Sequence, residues 1–166
     1  MADIQHPIDE ARSAAGRRIL DMMDSVGFDA YAAAWIHDRP TQTWRYLLST
    51  PMLKTEGPLW VYRHLMKVFK HLPLPEGVSP LDVFVIDPEY EMALFGNQIM
   101  GAEVKNSNPK MPPGIYVAIN YEIVFESFSV TNGFASFYRR VPEVERHRRK
   151  NPSRTFDHKV AMLKAA

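Results

Sequence analysis

FDAYAAAWIHDRPTQTWRYLLST, residues 28–50, is the stretch on which the fold turns. Read as extended chain, it is two strands, Phe28–His37 and Thr43–Thr50, joined by a turn at Asp38-Arg39-Pro40. Proline fixes φ and cannot donate to a ladder, so Pro40 fits the turn and Pro51 ends the second strand. Four alanines (Ala30, Ala32, Ala33, Ala34) argue for the rival reading, a helix through 29–36. Alanine is a weak strand former, but small side chains let a helix lie close against a sheet, and packing overrides propensity. The strand reading is preferred. It makes Tyr31, Trp35, Trp44 and Tyr46 core residues at one end of a small sheet, where large aromatics dominate.

Helices flank this pair. Ile8, Ala11, Ala15, Ile19, Met22 and Val26 recur at spacings of three and four, which predicts an amphipathic helix over 8–26. Pro7 suits its first turn, and Gly27 is placed to end it in the left-handed conformation. A second helix opens at Gly57-Pro58. Val61, Tyr62, Leu65, Val68, Phe69 and Leu72 form its buried stripe, with Arg63, His64, Lys67, Lys70 and His71 on the polar side.

Downstream, LPLPEGVSP (72–80) reads as a loop and LDVFVID (81–87) as a central strand. Pro88 starts a short helix with Glu89 and Glu91 in its first turn. Residues 102–105 read as a strand and 106–114 as an irregular loop, while 115–131 have strong β composition. Asn132-Gly133 is a hairpin signal, because a type I′ turn needs positive φ at both central positions. Pairing outward puts Thr131 opposite Phe134, Val130 opposite Ala135 and Phe128 opposite Phe137. The expectation is a single α+β domain over 1–141. It has a mixed or antiparallel sheet, two main amphipathic helices on one face and a C-terminal β-hairpin.

The remainder, 142–166, reads as a basic appendage. Residues 1–138 hold 11 Lys+Arg against 16 Asp+Glu, whereas 139–166 hold 9 against 3, so a formal net charge of +1 conceals an acidic body and a basic end. Arg139, Arg140, Arg146, Arg148, Arg149, Lys150 and Arg154 form the cluster. A charge run confined to one end points to nucleic acid or an acidic protein as partner through 139–154. No aromatic lies among these arginines, which disfavours base stacking on the tail. A homo-oligomer, with the tail of one copy on the acidic body of another, is a further reading.

The absence of cysteine removes disulfides, thiolate metal sites and a cysteine nucleophile. No apolar run reaches the length of a membrane span, and MADIQHPIDE lacks the features of a signal peptide. A cytoplasmic protein without a membrane partner is expected.

Catalytic signatures are sparse. Nucleophile-elbow and glycine-rich nucleotide motifs do not occur. Asp82 and Asp87, five apart on one strand, would point to opposite faces. His64 and His71 would lie about 10 Å apart on one helix, too far to share an ion. Asp87 at a strand end, followed by Glu103-Val104-Lys105, resembles the arrangement of the PD-(D/E)xK nucleases. That resemblance implies two carboxylates holding a divalent metal and a lysine positioning water. Against it, 19 acids and 8 lysines in 166 positions give about one such Glu/Asp-x-Lys by chance. The proline-rich loop after Lys105 also stands where that family has a helix. The preferred reading is a non-enzymatic binding or accessory module with no cofactor and no metal; the alternative is a metal-dependent nuclease or phosphodiesterase using Asp87, Glu103 and Lys105.

Overall fold

A computed structural model describes residues 9–38, 42–91, 115–118, 122–124, 129–131, 134–140 and 151–163. The strands from 115 to 140 are described by their backbone pairing. In chain order the elements are α1 (Glu10–Ser25), β1 (Ala32–Asp38), β2 (Thr43–Ser49), α2 (Met52–Glu56) and α3 (Pro58–His71). A 3-10 turn (Pro80–Asp82), β3 (Val83–Ile86) and α4 (Pro88–Glu91) follow. Then come β4 (Ile115–Ala118), β5 (Glu122–Val124), β6 (Ser129–Thr131), β7 (Phe134–Arg140) and α5 (Pro152–Leu163).

Residues 32–38 and 43–49 form the expected strand pair, and the helical alternative for 29–36 falls; Arg39 and Pro40 of the expected turn lie outside the described residues. β1 and β2 are antiparallel, with Ala33 opposite Leu48 and Trp35 opposite Tyr46. β3 lies parallel to β2 (Tyr46 opposite Val83, Leu48 opposite Val85), so the sheet is mixed, in the order β3-β2-β1-β7-β4. Among the described residues β3 is therefore an edge strand rather than the expected central one. Its parallel setting follows from the α2–α3 crossover, since parallel neighbours cannot be joined by a tight turn.

Strand alternation puts Ala33, Trp35, Tyr46, Leu48, Val83 and Val85 on one face, in a common core with both long helices. From α1 come Ala15, Ile19, Leu20 and Met23, and from α3 Val61, Leu65, Val68 and Phe69. The opposite face is buried too, at Ala32, Ala34, Ile36, Leu47 and Ile86. A sheet covered on both faces explains why β1 has no polar residue from Ala32 to Ile36.

Small residues on α1, rather than the strand alanines alone, bring helix and sheet together. α1 turns Ser13, Ala15 and Gly16 inward, close enough for Trp35 Nε1 to donate to the Arg12 carbonyl (2.9 Å) and the Tyr46 hydroxyl to the Gly16 carbonyl (2.8 Å). The helix starts at Glu10, with the Asp9 carboxylate accepting from the Arg12 amide. It ends as predicted, with Gly27 at φ +70°. The Gly27 and Phe28 amides return to the carbonyls of Asp24 and Met23, which closes a Schellman motif.

Two expectations about the C-terminal third are corrected. β7 pairs with β1 on one edge and β4 on the other, so Ala135 faces Ile36 and Val117, and Phe137 faces Ala34 and Ile115. Both ladder edges are occupied there, and Val130 pairs with Ile123 in a separate two-stranded sheet. The register drawn outward from Asn132-Gly133 is thus replaced; that dipeptide and Phe128 lie outside the described residues, as do 102–105. The second correction concerns the boundary at 142. Residues 152–163 are a helix whose Phe156 and Val160 are buried in the body's own core, so the folded unit extends well beyond 141. No helix among the described residues is long and apolar enough to cross a membrane.

Candidate interaction surface

Helix α3 carries the most distinctive surface. Its sequence, PLWVYRHLMKVFKH, contains Arg63, Lys67, Lys70 and two histidines but no carboxylate. Pro58 at its first turn and Lys70 and His71 in its last suit the helix geometry and dipole. The inner stripe, Val61, Leu65, Val68 and Phe69, is held in the core. The outer face exposes two large apolar side chains, Leu59 (71% exposed) and Met66 (44%). These two, with Tyr62, Arg63, Lys67 and Lys70, line an open hollow of about 580 Å³. Among the described residues no carboxylate pairs with the three cations.

Tyr62 is the floor of this surface and is fixed in place. Its hydroxyl accepts the Val85 amide at 3.0 Å. Among the described residues β3 pairs with a strand on one side only, and on the other the tyrosine satisfies the Val85 donor. Burial raises the Tyr62 pKa above its ordinary 10.0, and the Val85 hydrogen bond opposes that shift.

His64 was expected on the polar side, and the structure corrects this. It is buried, stacked on Trp60 with centroids 3.9 Å apart. Its Nε2 lies 2.8 Å from Asp157 Oδ1 and its Nδ1 2.9 Å from the Trp60 carbonyl oxygen. Each ring nitrogen therefore faces an oxygen of the protein itself. The reason for the burial is α5, which covers a flank of α3 that the apolar spacing alone assigns to water.

That helix clamps the other two. Phe156 meets Phe28 edge-on at 5.3 Å and lies against Trp60 and His64. Lys159 Nζ donates to the Ser25 carbonyl at 3.2 Å, a cation at the C-terminal end of α1. A Cβ on Gly27 would stand 3.0 Å from Thr155 Cγ2, so this glycine serves the close approach of α5 as well as its own positive φ. A signal for this helix was present in Phe156, Val160 and Leu163 at spacings of four and three. It was masked by the surrounding charge.

The expected site residues separate. Arg154 is exposed on α5. Arg139 and Arg140 end β7, paired with Ala33 and Ala32; Arg146, Arg148, Arg149 and Lys150 lie outside the described residues. Asp87 receives the Tyr90 amide at 2.9 Å and caps α4, while Glu103 and Lys105 lie outside the described residues. Asp82 is not on the strand but in the 3-10 turn, where it closes a capping box with Ser79. Glu89 pairs with Lys54 at 2.9 Å, whose pKa is raised by that hydrogen bond and by the charge. Among the described residues no cluster of His, Asp and Glu is arranged to hold a metal ion. Of the four aromatics read as core, Trp35 and Tyr46 are fully buried, whereas Tyr31 and Trp44 are half-buried.

No family model matches this chain, and neither a curated protein nor a solved structure matches it.

Proposed function

We propose that the protein is a binding module, without catalysis of its own, that recognises an acidic partner through cationic surface. The observation that carries this reading is the outer face of α3, three cations and two exposed apolar side chains with no carboxylate on the helix. The cluster at 139–154 supplies more charge of the same sign. Charge of one sign confined to particular elements acts on association rather than on folding.

The homo-oligomer reading requires the tail to reach a neighbouring copy, whereas α5 is seated by Phe156 and Val160 in its own chain. The nuclease reading rests on Asp87, whose Oδ1 is occupied as a helix cap. The test is direct binding of the full chain to polyglutamate and to single- and double-stranded oligonucleotides, at low and high salt. Binding that weakens as salt rises is expected. It should weaken further on replacing Arg146, Arg148, Arg149 and Lys150 by Gln. Divalent-metal-dependent cleavage of the oligonucleotides would overturn the non-catalytic reading. Failure to bind any of these polyanions would overturn the binding module.

A further inference from the structure

The pattern within the α3 face carries the reading of an acidic partner one step further, to its shape. Leu59 and Met66 are seven residues apart, two turns or about 10.5 Å along the axis. Tyr62 stands between them at i+3, so the three form a short seam at the spacing of coiled-coil a and d positions. Arg63 and Lys70 fall four residues after Leu59 and Met66, at the flanking e position, and Lys67 follows Met66 directly. An apolar seam edged by cations is one half of a helix–helix contact. Its complement is an apolar stripe edged by carboxylates.

The seam is also rigid. Val61, Leu65 and Val68 beneath it are fully buried, and the Tyr62 ring is tethered through its hydroxyl to Val85. A preformed surface keeps the ordering cost of association low.

We infer that the outer face of α3 docks an acidic amphipathic helix of a partner protein. Leu59, Tyr62 and Met66 meet its apolar stripe, and Arg63, Lys67 and Lys70 meet its Glu or Asp residues. This rests on the binding-module reading above. Two other anionic partners fit less well. A nucleic acid backbone is met by the cations but gives Leu59 and Met66 nothing to pack against. An anionic bilayer takes helices with a broad apolar face, whereas the broad apolar face of α3 is committed to the core.

The probe is a labelled 21-residue peptide of three heptads with Leu at a and d and Glu at e and g. It is compared with a scrambled peptide of the same composition, a single-stranded oligonucleotide and phosphatidylserine vesicles. The patterned peptide is expected to bind at least about tenfold more tightly than the scrambled one, since only the former aligns its apolar stripe with the seam. Leu59→Ser with Met66→Ser keeps every charge and should remove that preference. Arg63→Glu with Lys67→Glu and Lys70→Glu should abolish binding. The melt of the serine pair should match the parent, because its side chains lie outside the core, and that of the glutamate variant should fall slightly, because Lys70 suits the dipole at the end of α3. Equal affinity for patterned and scrambled peptides, or indifference to the Leu59/Met66 pair, overturns the helix-docking inference while leaving a general acidic-partner surface. Tighter binding to the oligonucleotide or the vesicles, competing with the peptide, overturns it in favour of that ligand. Binding of none of the four overturns the inference and, with a negative polyglutamate result, the binding-module reading as well.

Discussion

Helices α1 and α3 both contribute buried residues to one hydrophobic core, yet their outer faces differ in kind. α1 carries three acids (Glu10, Asp21, Asp24) and three arginines (Arg12, Arg17, Arg18), and its other exposed positions hold only Ala11, Ala14 and Ser25. α3 carries cations alone and exposes Leu59 and Met66. A mixed-sign face satisfies itself in water, whereas a one-sign face with exposed apolar atoms has chemistry left for another molecule. Their anchors differ as well. α1 is held by donors from the sheet, the Trp35 indole and the Tyr46 hydroxyl, bonding to helix carbonyls. α3 instead offers its own side chains, Tyr62 to the sheet edge and His64 to α5.

The comparison breaks most severely at the residue both helices share. Phe156 is fully buried between Phe28, just past α1, and Trp60 and His64 on α3. Phe156→Ala should cost about 3–5 kcal/mol, the usual range for a large aromatic removed from a core. Urea unfolding followed by circular dichroism measures it. A loss below about 1 kcal/mol would mean that α5 is no part of the folded body.

The two tyrosine anchors should respond unequally. Tyr62→Phe leaves the part-buried Val85 amide without its acceptor and should cost about 1–3 kcal/mol. Tyr46→Phe removes a donor from a carbonyl that keeps its helical bond, and about 0.5–1.5 kcal/mol is expected. The same pair has a pH signature. Because the folded pKa of Tyr62 is raised above 10.0, its protonated form is favoured by folding. That contribution is fully present below pH 10.0 and is lost as pH rises through the folded value. As pH rises above 10.0 the parent's urea midpoint should therefore fall more steeply than that of Tyr62→Phe. Parallel curves would remove the claim.

Asp157→Asn sharpens the α3 anchor. The carboxylate is 64% exposed while its histidine partner is buried, so screening limits the loss to about 1 kcal/mol. Protection of α5 amides in hydrogen exchange should drop with it; unchanged protection would show that Phe156 alone seats the helix.

The smallest stability effect tests the outer faces directly. Arg17→Glu with Arg18→Glu on α1, and Arg63→Glu with Lys67→Glu on α3, should each stay within about 0.5 kcal/mol of the parent per substitution. Only the α3 pair should weaken binding to polyglutamate. Equal effects on binding would erase the distinction between the two helices.

Much of this architecture was legible in the chain. The periodicity of 8–26 and 57–72, the stop at Gly27 and the aromatic strands within 28–50 follow from local rules of spacing and φ restriction. These are properties of a few neighbouring residues, so the sequence by itself determined them. His64 is different. Its position in the heptad marks it as solvated, and it is buried only because a helix more than 90 residues later covers that flank. Asp87 and Asp82 have the residue type of metal ligands, and one oxygen of each accepts a backbone amide three residues away. The strand 134–140 read as half of a local hairpin, yet its ladder partners are β1 and β4. Long-range partners such as these are chosen by burial of the whole chain at once. Only the tertiary structure could decide them, because the free energy of covering an apolar or polar atom depends on what else has already been covered.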